Sequence, residues 1–179
     1  MELLETVVTA LWAMLPAYLP NNVAVVAGSG RPIDGGRTWG GKRMLGDGKT
    51  WRGTAVGVGV GTLLAFGLNA VRPDTILGTV PPEFPVAAAI ALPAGAMLGD
   101  IGASFLKRRT GRKRGAAFPV VDQLDFVAGA LVLAAIAATR WFGDVFTLPV
   151  LLAVVLITPL LHLVTNMVAY LLGLKSEPW

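Results

Sequence analysis

The sequence predicts an all-α integral membrane protein with five transmembrane helices. Of its 179 residues, 54% are hydrophobic and only 15% are charged, and the mean hydropathy is +0.66. Such values are not those of an ordinary soluble domain. Five mainly apolar runs of about 20 residues are each long enough to cross a hydrocarbon core of roughly 30 Å. These runs lie at 5–27, 53–71, 84–106, 123–141 and 146–172.

Lysine and arginine are distributed unevenly between the connecting segments. Of the 15 Lys and Arg residues, thirteen fall on one side of the predicted spans, whereas Arg72 and Arg140 lie opposite. Because cytoplasmic loops carry the excess of positive charge, we expect the N-terminus outside and the C-terminus and two basic loops in the cytoplasm. The protein is then a multi-pass protein of the cell membrane whose functional face is cytoplasmic.

The gaps between the spans are too short for a soluble domain, so residues 1–179 are predicted to form a single transmembrane domain. The first run follows Glu2 and Glu5 rather than basic residues, and it is longer than a signal-peptide core. We therefore expect it to stay in the protein as a span.

Polar residues at the end of the third span share one helix face. Asp100, Ser104 and Lys107 are four and three residues apart, a spacing that aligns side chains on a helix. Asp100 lies two turns before the basic run, roughly 10 Å inside the apolar stretch. An ionisable group at that depth is a candidate for function.

Two further acids, Asp122 and Asp125, stand at the start of the fourth span. Carboxylates three residues apart on a helix project to one side, and with Asp100 they would form an all-oxygen site suited to Mg²⁺. The alternative is structural, with Asp122 as the residue that caps the helix.

The first basic loop is rich in glycine, and its backbone can approach a phosphate closely. Lys49 and Arg52 are candidates to bind anionic oxygens, and Thr50 is also suited to cap the second span. A P-loop is rejected, because the glycine that this motif needs is replaced by Arg43. A simple re-entry turn is the alternative.

Both basic loops have a simpler interpretation as determinants of topology that attract anionic lipid headgroups. The acids beside the cations favour a site for metal and nucleotide phosphates, which needs both signs of charge. These acids are Asp47, Asp100, Asp122 and Asp125.

Other polar residues lie inside the spans. Pro20, Asn21 and Asn22 are expected to interrupt the first span, and a broken helix often lines a cavity, although helix packing explains the two amides equally well. A stripe on the fifth span recurs every fourth residue and is predicted to form hydrogen bonds between helices. The stripe consists of Thr158, His162, Asn166 and Tyr170.

The order of these residues resembles the signature of the CTP-dependent phosphatidate cytidylyltransferases. Gln123 replaces the usual arginine between the aspartates, and Pro119 begins a departure from the usual His-Gly-Gly run. The short chain, the five spans and the loop at residues 47–50 resemble the archaeal branch of that family, the CDP-archaeol synthases. The shared motif is Asp100-x-x-x-Ser104-x-x-Lys107-Arg108, a basic linker, a proline and Asp122-x-x-Asp125.

The resemblance implies transfer of CMP from CTP to an isoprenoid ether-lipid phosphate, 2,3-bis-O-(geranylgeranyl)-sn-glycerol 1-phosphate, with release of pyrophosphate. It implies Mg²⁺ held by Asp100, Asp122 and Asp125, with K⁺ as a second cation, and no nucleic-acid partner. Lys107 joins Asp100 and Asp122 as the catalytic set, and Arg108 would contact the lipid phosphate or the membrane surface. The nucleotide would contact Asn22, Asp47, Lys49, Thr50, Arg52, Ser104 and Lys107.

Two other activities are consistent with the same residues. A CTP-dependent polyprenol kinase would transfer the terminal phosphate and release CDP, and a small cation transporter would bind a permeating ion at the acids. A phosphotransferase that uses CDP-activated lipids fits less well, because its Asp-Gly and Ala-Arg elements are not found. Selection of cytosine, the preference for lipid tails and the oligomeric state are left open.

Overall fold

The computed structural model describes residues 2–111, 121–171 and 173, with only the backbone of Val121 and Ala169. Helices make up most of this part of the chain, and one short two-stranded hairpin lies between the first two helices. The elements are α1 (Leu3–Ala27), β1 (Thr38–Trp39), β2 (Lys42–Arg43), α2 (Trp51–Ala70), α3 (Val86–Arg109), α4 (Val121–Ala137), α5 (Thr139–Val145) and α6 (Leu148–Leu171). Pro119 lies outside the described part, as do four of the thirteen basic residues counted above: Arg112, Lys113, Arg114 and Lys175.

Four of the helices are long and apolar enough to cross a membrane, so the protein is a multi-pass membrane protein. They are α1, α2, α3 and the segment Leu148–Val168 of α6. The remaining predicted span coincides with α4, which is described over 17 residues, or about 25 Å at 1.5 Å per residue. Five spans and the orientation of the chain stay predictions.

Two expectations about helix continuity are wrong. Residues 123–141 are not one helix, because α4 ends at Ala137, Ala138 adopts a non-helical conformation (φ −134°, ψ 48°), and α5 begins at Thr139. The first span, in contrast, is not interrupted, because α1 continues from Leu3 to Ala27 with Pro16 and Pro20 inside it. A proline in a helix removes one hydrogen bond, and here the turns on either side keep their helical form.

The helix α2 packs against α1 through a stripe of glycines spaced four residues apart. A Cβ on Gly57 would lie 2.8 Å from the carbonyl oxygen of Pro20, and one on Gly61 would lie 2.7 Å from that of Pro16. Since Pro20 has no amide hydrogen, it donates no helical hydrogen bond to the Pro16 carbonyl. Small residues on α2 thus allow the backbones of the two helices to meet closely, as in other membrane proteins.

The core between α1, α3, α4 and α6 is built largely from small side chains. Ala13 and Ala17 of α1, Ala96 of α3, and Ala130 and Ala134 of α4 have no exposed surface. Larger residues fill the remaining space, including Met14, Phe84, Leu92, Val150 and Val154. Alanine at the contacts lets the helices approach one another, which favours dispersion contacts in a bilayer where lipid removes most of the hydrophobic driving force.

The two basic loops are found at the same end of the helix bundle, as predicted, as far as they are described. Arg109, at the end of α3, donates hydrogen bonds to the carbonyl oxygens of Trp39, Lys42 and Arg43 in the β1–β2 hairpin. The connection between α2 and α3 lies at the opposite end, where Asn69 bonds both main-chain groups of Phe84.

Candidate active site

Close packing of α3 on α4 places three carboxylates side by side. A Cβ on Gly95 would lie 2.4 Å from the carbonyl oxygen of Gly129, and one on Gly99 would lie 2.2 Å from that of Asp125. Side chains at these positions would therefore hold the two backbones apart. Because Asp100 follows Gly99, this contact places Asp100 beside the first turns of α4.

The three acids line one cavity of about 390 Å³ among α1, α3, α4 and α6. Its walls combine carboxylates, amides and hydroxyls with apolar side chains. The lining residues are Leu15, Tyr18, Asn21, Asn22, Val25, Asp100, Asp122, Asp125, Phe126, Thr158, Leu161, His162, Thr165 and Asn166. A site of this composition can accept a charged group and an apolar chain together.

Two of the acids form ion pairs with lysines from the basic segments. Lys49 of the first loop pairs with Asp100, and Lys107 of α3 pairs with Asp122. None of these four side chains is more than 25% exposed, so the pairs are largely removed from water and only weakly screened by salt. The third acid, Asp125, accepts a 2.6 Å hydrogen bond from the amide nitrogen of Phe126.

No three side chains among the described His, Cys, Asp and Glu residues converge tightly enough to form a metal cluster. The three acids of the cavity nevertheless offer carboxylate oxygens, the ligand type that Mg²⁺ prefers. The role of Asp100, Asp122 and Asp125 as metal ligands stays a prediction.

Asp100, Ser104 and Lys107 were predicted to share one face of α3, but not all three reach the cavity. Asp100 lines it directly, and Lys107 reaches it through Asp122. Ser104 is half-buried and is not a lining residue. Asp122 lies within the first turn of α4, after Val121, so the alternative in which it caps this helix is wrong.

Residues of the first loop take different positions relative to the cavity. Thr50 is the predicted cap, since its hydroxyl accepts a 3.0 Å hydrogen bond from the amide of Gly53. Arg52 donates to the hydroxyl of Ser29 at 2.9 Å and borders a separate groove beside Asn22. Asp47 is exposed and accepts a 2.8 Å bond from Arg43. These contacts leave Lys49 as the residue of this loop that touches an acid of the cavity.

The predicted stripe on α6 divides between packing and the cavity. Thr158 forms a 2.9 Å hydrogen bond with the Tyr18 hydroxyl of α1, which confirms a helix-to-helix contact at this position. His162 and Asn166 face the same cavity as the acids. Tyr170 is 43% exposed and does not line the cavity.

Asp34 organises the first loop, and sequence analysis missed it. Its side chain is 1% exposed, and its carboxylate accepts hydrogen bonds from Nε and Nη2 of Arg43 at 3.2 and 2.9 Å. The amides of Gly36, Leu45 and Gly46 each donate to it at 3.0 Å. The Arg43 guanidinium is the main cause that holds the pKa of Asp34 well below its usual range, and the amides add to this effect while burial opposes it.

The β1–β2 hairpin is anchored to α3 by a second residue that the sequence did not single out. Beyond its three carbonyl partners, the Arg109 guanidinium lies 5.8 Å from the ring centre of Trp39 and 5.4 Å from that of Phe105, within cation–π range. Arg108 also donates to the Leu45 carbonyl at 3.4 Å. The first loop is therefore fixed to the same helix that carries Asp100.

A larger cavity, of about 580 Å³, lies at the opposite end of the bundle. It is open to solvent and includes Glu83, Arg140, Trp141 and Asp144. Its two acids are on separate elements, and neither forms an ion pair with a lysine among the described residues. The cavity with the three aspartates is the better candidate, because it combines largely buried charged side chains with apolar walls.

Comparison with known proteins gives a consistent result. A family model described as CarS-like, CDP-archaeol synthase, matches residues 3–179. Proteins named CDP-archaeol synthase from Halobacterium salinarum and Haloarcula marismortui are 66% and 68% identical to the chain, and each alignment covers 100% of both proteins. The protein of the same name from Methanosarcina mazei is 49% identical over 93% of this chain and 100% of its own length.

One solved structure is also similar, and it is described as that of an intramembrane enzyme for archaeal membrane lipid biosynthesis. The TM-score is 0.67 at 34% sequence identity, with 88% of this chain and 92% of that chain covered.

Proposed function

The chain belongs to the CarS-like family of CDP-archaeol synthases, and from that membership we propose that it is an enzyme that transfers CMP from CTP to 2,3-bis-O-(geranylgeranyl)-sn-glycerol 1-phosphate. The products are CDP-archaeol and pyrophosphate. The family match over residues 3–179 supports one cytidylyltransferase domain over 1–179.

The observation that carries this proposal is the composition of the cavity of about 390 Å³. Asp100, Asp122 and Asp125 line it together with apolar residues such as Leu15 and Leu161. A lipid phosphate presents the same combination, an anionic head on an apolar chain. The nucleotide would approach from the end that bears the first loop, and the isoprenoid chains would extend toward the apolar walls.

In the reaction, an oxygen of the lipid phosphate attacks the α-phosphorus of CTP, and the bond to the β,γ-pyrophosphate breaks. The lipid phosphate is already a competent nucleophile, so the protein needs to supply position and charge neutralisation rather than a covalent intermediate. This requirement agrees with a site that brings acids and cations together, as in the Lys49–Asp100 and Lys107–Asp122 pairs.

The carboxylates of Asp100, Asp122 and Asp125 would hold Mg²⁺, with K⁺ as a second cation. When bound, Mg²⁺ would neutralise the phosphate oxygens of CTP and increase the electrophilic character of the α-phosphorus. The three acids line the same cavity, and carboxylate oxygens are the ligands that Mg²⁺ prefers.

Lys49 and Lys107 would exchange partners when substrates bind. In the structure they pair with Asp100 and Asp122, two of the acids that would hold Mg²⁺. The two ammonium groups would then be available to phosphate oxygens, where charge-assisted hydrogen bonds are strong. We assign Lys49 to the nucleotide and Lys107 to the reacting phosphates.

Other residues contribute through their positions around these groups. Asn22 lines the cavity and also the groove beside Arg52, which makes both candidates for the nucleotide. Ser104, Asp47 and Thr50 do not line the cavity and are further candidates for the same ligand. Arg108, beside the loop carbonyl of Leu45, would contact the lipid phosphate.

We also propose that α4 completes a set of five spans, with the N-terminus outside and the active site facing the cytoplasm of the cell membrane. The support is the clustering of the described part of both basic loops at one end of the bundle, which the positive-inside rule assigns to the cytoplasm.

The test uses purified full-length protein in detergent with Mg²⁺, the unsaturated ether-lipid phosphate and CTP. The CTP is labelled in separate reactions at the α- and γ-phosphates, and the label is counted in the organic phase. We expect α-label in the lipid and γ-label in released pyrophosphate. Lipid-borne γ-label would make the protein a kinase, and the absence of both labels from lipid with folded protein would reject nucleotide-dependent transfer.

A further inference from the structure

The turn that carries Lys49 is held in place at both of its ends. At its start, the amide of Gly46 donates to the Asp34 carboxylate at 3.0 Å. At its end, the amide of Ile33 donates to the Lys49 carbonyl at 2.8 Å. A 3.3 Å bond from the Lys49 amide to the Gly46 carbonyl closes the turn. Asp34 and its neighbour therefore fix residues 46–49 as a unit.

The last residue of this turn, Lys49, has the side chain that reaches the active site. Lys49 pairs with Asp100, and the next residue, Thr50, caps α2. The ammonium group of a lysine lies at the end of a flexible four-carbon chain, so its average position depends on where its backbone is fixed. The backbone of Lys49 is fixed by hydrogen bonds to the segment that contains Asp34.

The buried carboxylate is well suited to this task. Both of its oxygens are bonded, with Arg43 as a two-pronged donor and three amides as the remaining partners. Two-pronged arginine pairs impose geometry as well as binding energy. Arg109 bonds the adjoining hairpin to α3. The turn is therefore fixed relative to the helix that carries Asp100.

We propose that Asp34 is a positioning residue for nucleotide binding, which holds the turn at residues 46–49 so that Lys49 is presented to the phosphates of CTP. The proposal rests on the proposed cytidylyl transfer. Asp34 itself contacts none of the cavity acids among the described residues. It acts through the turn, and its replacement should weaken CTP binding in the same way as removal of the lysine side chain.

The test is a double-mutant cycle on full-length protein with α-labelled CTP. Four proteins are compared: the wild type, Asp34→Asn, Lys49→Ala and the double variant. Each single substitution should raise the KM for CTP about tenfold, the loss expected for one charge-assisted contact. The double variant should lie within about twofold of Lys49→Ala, because coupled residues are not additive. The KM for the lipid should stay unchanged.

Two further variants separate positioning from folding. Asp74→Asn replaces an exposed acid in the loop between α2 and α3 and should leave both KM values unchanged. Arg43→Lys keeps the charge but loses the two-pronged contact, and it should raise the KM for CTP without affecting the lipid. If Asp34→Asn fails to fold, Arg43→Lys in the wild-type and Lys49→Ala backgrounds provides the same cycle.

Additive effects of the two substitutions, near a hundredfold in the double variant, would overturn the inference, as would a fall in kcat with both KM values unchanged. Failure of the proposed function looks different, because the wild-type protein itself would then transfer no α-label to lipid.

Discussion

A single methyl group at Gly99 should damage both the fold and the active site. The Cβ of an alanine there would lie 2.2 Å from the carbonyl oxygen of Asp125 and 2.9 Å from its carbonyl carbon. Ordinary contacts begin at 3.4 Å, so α3 and α4 must separate by roughly 1 Å at this point, because backbone cannot rotate away as a side chain can. The displaced segment carries Asp100 on one helix and Asp125 on the other.

The expected magnitudes follow from that displacement. Overpacking costs about 1–3 kcal/mol, while alanine regains up to about 1 kcal/mol of helix propensity relative to glycine. With the full propensity gain subtracted, the net loss of stability for Gly99→Ala should be about 0–2 kcal/mol. A 1 Å misplacement of catalytic groups can cost about 10²-fold in rate, so kcat/KM should fall by about that factor.

Gly102→Ala is the matched control on the same helix. A Cβ at Gly102 meets no atom within 4 Å, so only the propensity gain of up to about 1 kcal/mol remains. Thermal unfolding in detergent and transfer of α-label from CTP to lipid measure both variants. Equal stability and activity of Gly99→Ala and Gly102→Ala would refute the argument that the glycine contact sets the distance between the acids.

Three further predictions concern charge. Asp100→Asn and Asp122→Asn should each lower kcat by at least about 10²- to 10³-fold in protein that still folds in the membrane, and near-normal turnover would contradict the metal assignment. Lys49→Ala should raise the KM for CTP about tenfold, measured against constant lipid, and an unchanged value would remove the lysine from the nucleotide site. Because the Arg43 guanidinium and the loop amides lower the pKa of Asp34, its contribution to stability should be complete above the unfolded-state value of about 3.9. That contribution should disappear as the pH falls toward the folded-state value, so the Tm difference between wild type and Asp34→Asn should shrink below about pH 4, and a constant difference would contradict this.

The spans were predictable because their signal is local. An apolar run of about 20 residues is recognisable without any knowledge of its neighbours, and the predicted bounds agree with α1, α2, α3 and α6 to within a few residues. The break at Ala138 was not predictable in that way, because residues 130–142 contain no proline or glycine. Trp141 of α5 donates a 2.7 Å hydrogen bond to the Glu83 carbonyl, a tertiary contact that the local sequence does not indicate.

Helix contacts had a sequence signal that was not used. Gly95 and Gly99, four residues apart, form the small-residue spacing that favours close approach of membrane helices. Gly53, Gly57 and Gly61 repeat the same spacing on α2. The spacing identifies faces that can approach a partner closely, but it does not identify the partner, so the pairing of α3 with α4 had to come from the structure.

Asp34 shows a different limit. Its carboxylate is bonded by residues 2 to 12 positions away, and three of its five donors are main-chain amides. Amide donors carry no residue identity, so no pattern of side chains marks the position. Acids of the spans, in contrast, are conspicuous because an ionisable group in an apolar stretch needs an explanation.

The lysine pairs explain why the sequence suggested the right kinds of residue but not their contacts. The sequence assigned Lys49 and Lys107 to phosphates, and the structure pairs them with Asp100 and Asp122. Buried charge is costly unless it is neutralised, which accounts for the pairing of each lysine with an acid. A cation that binds the acids would release the lysines, and an anion that binds the lysines would release the acids. Nucleotide and metal should therefore bind cooperatively, since each removes the charge that would otherwise be left unpaired by the other.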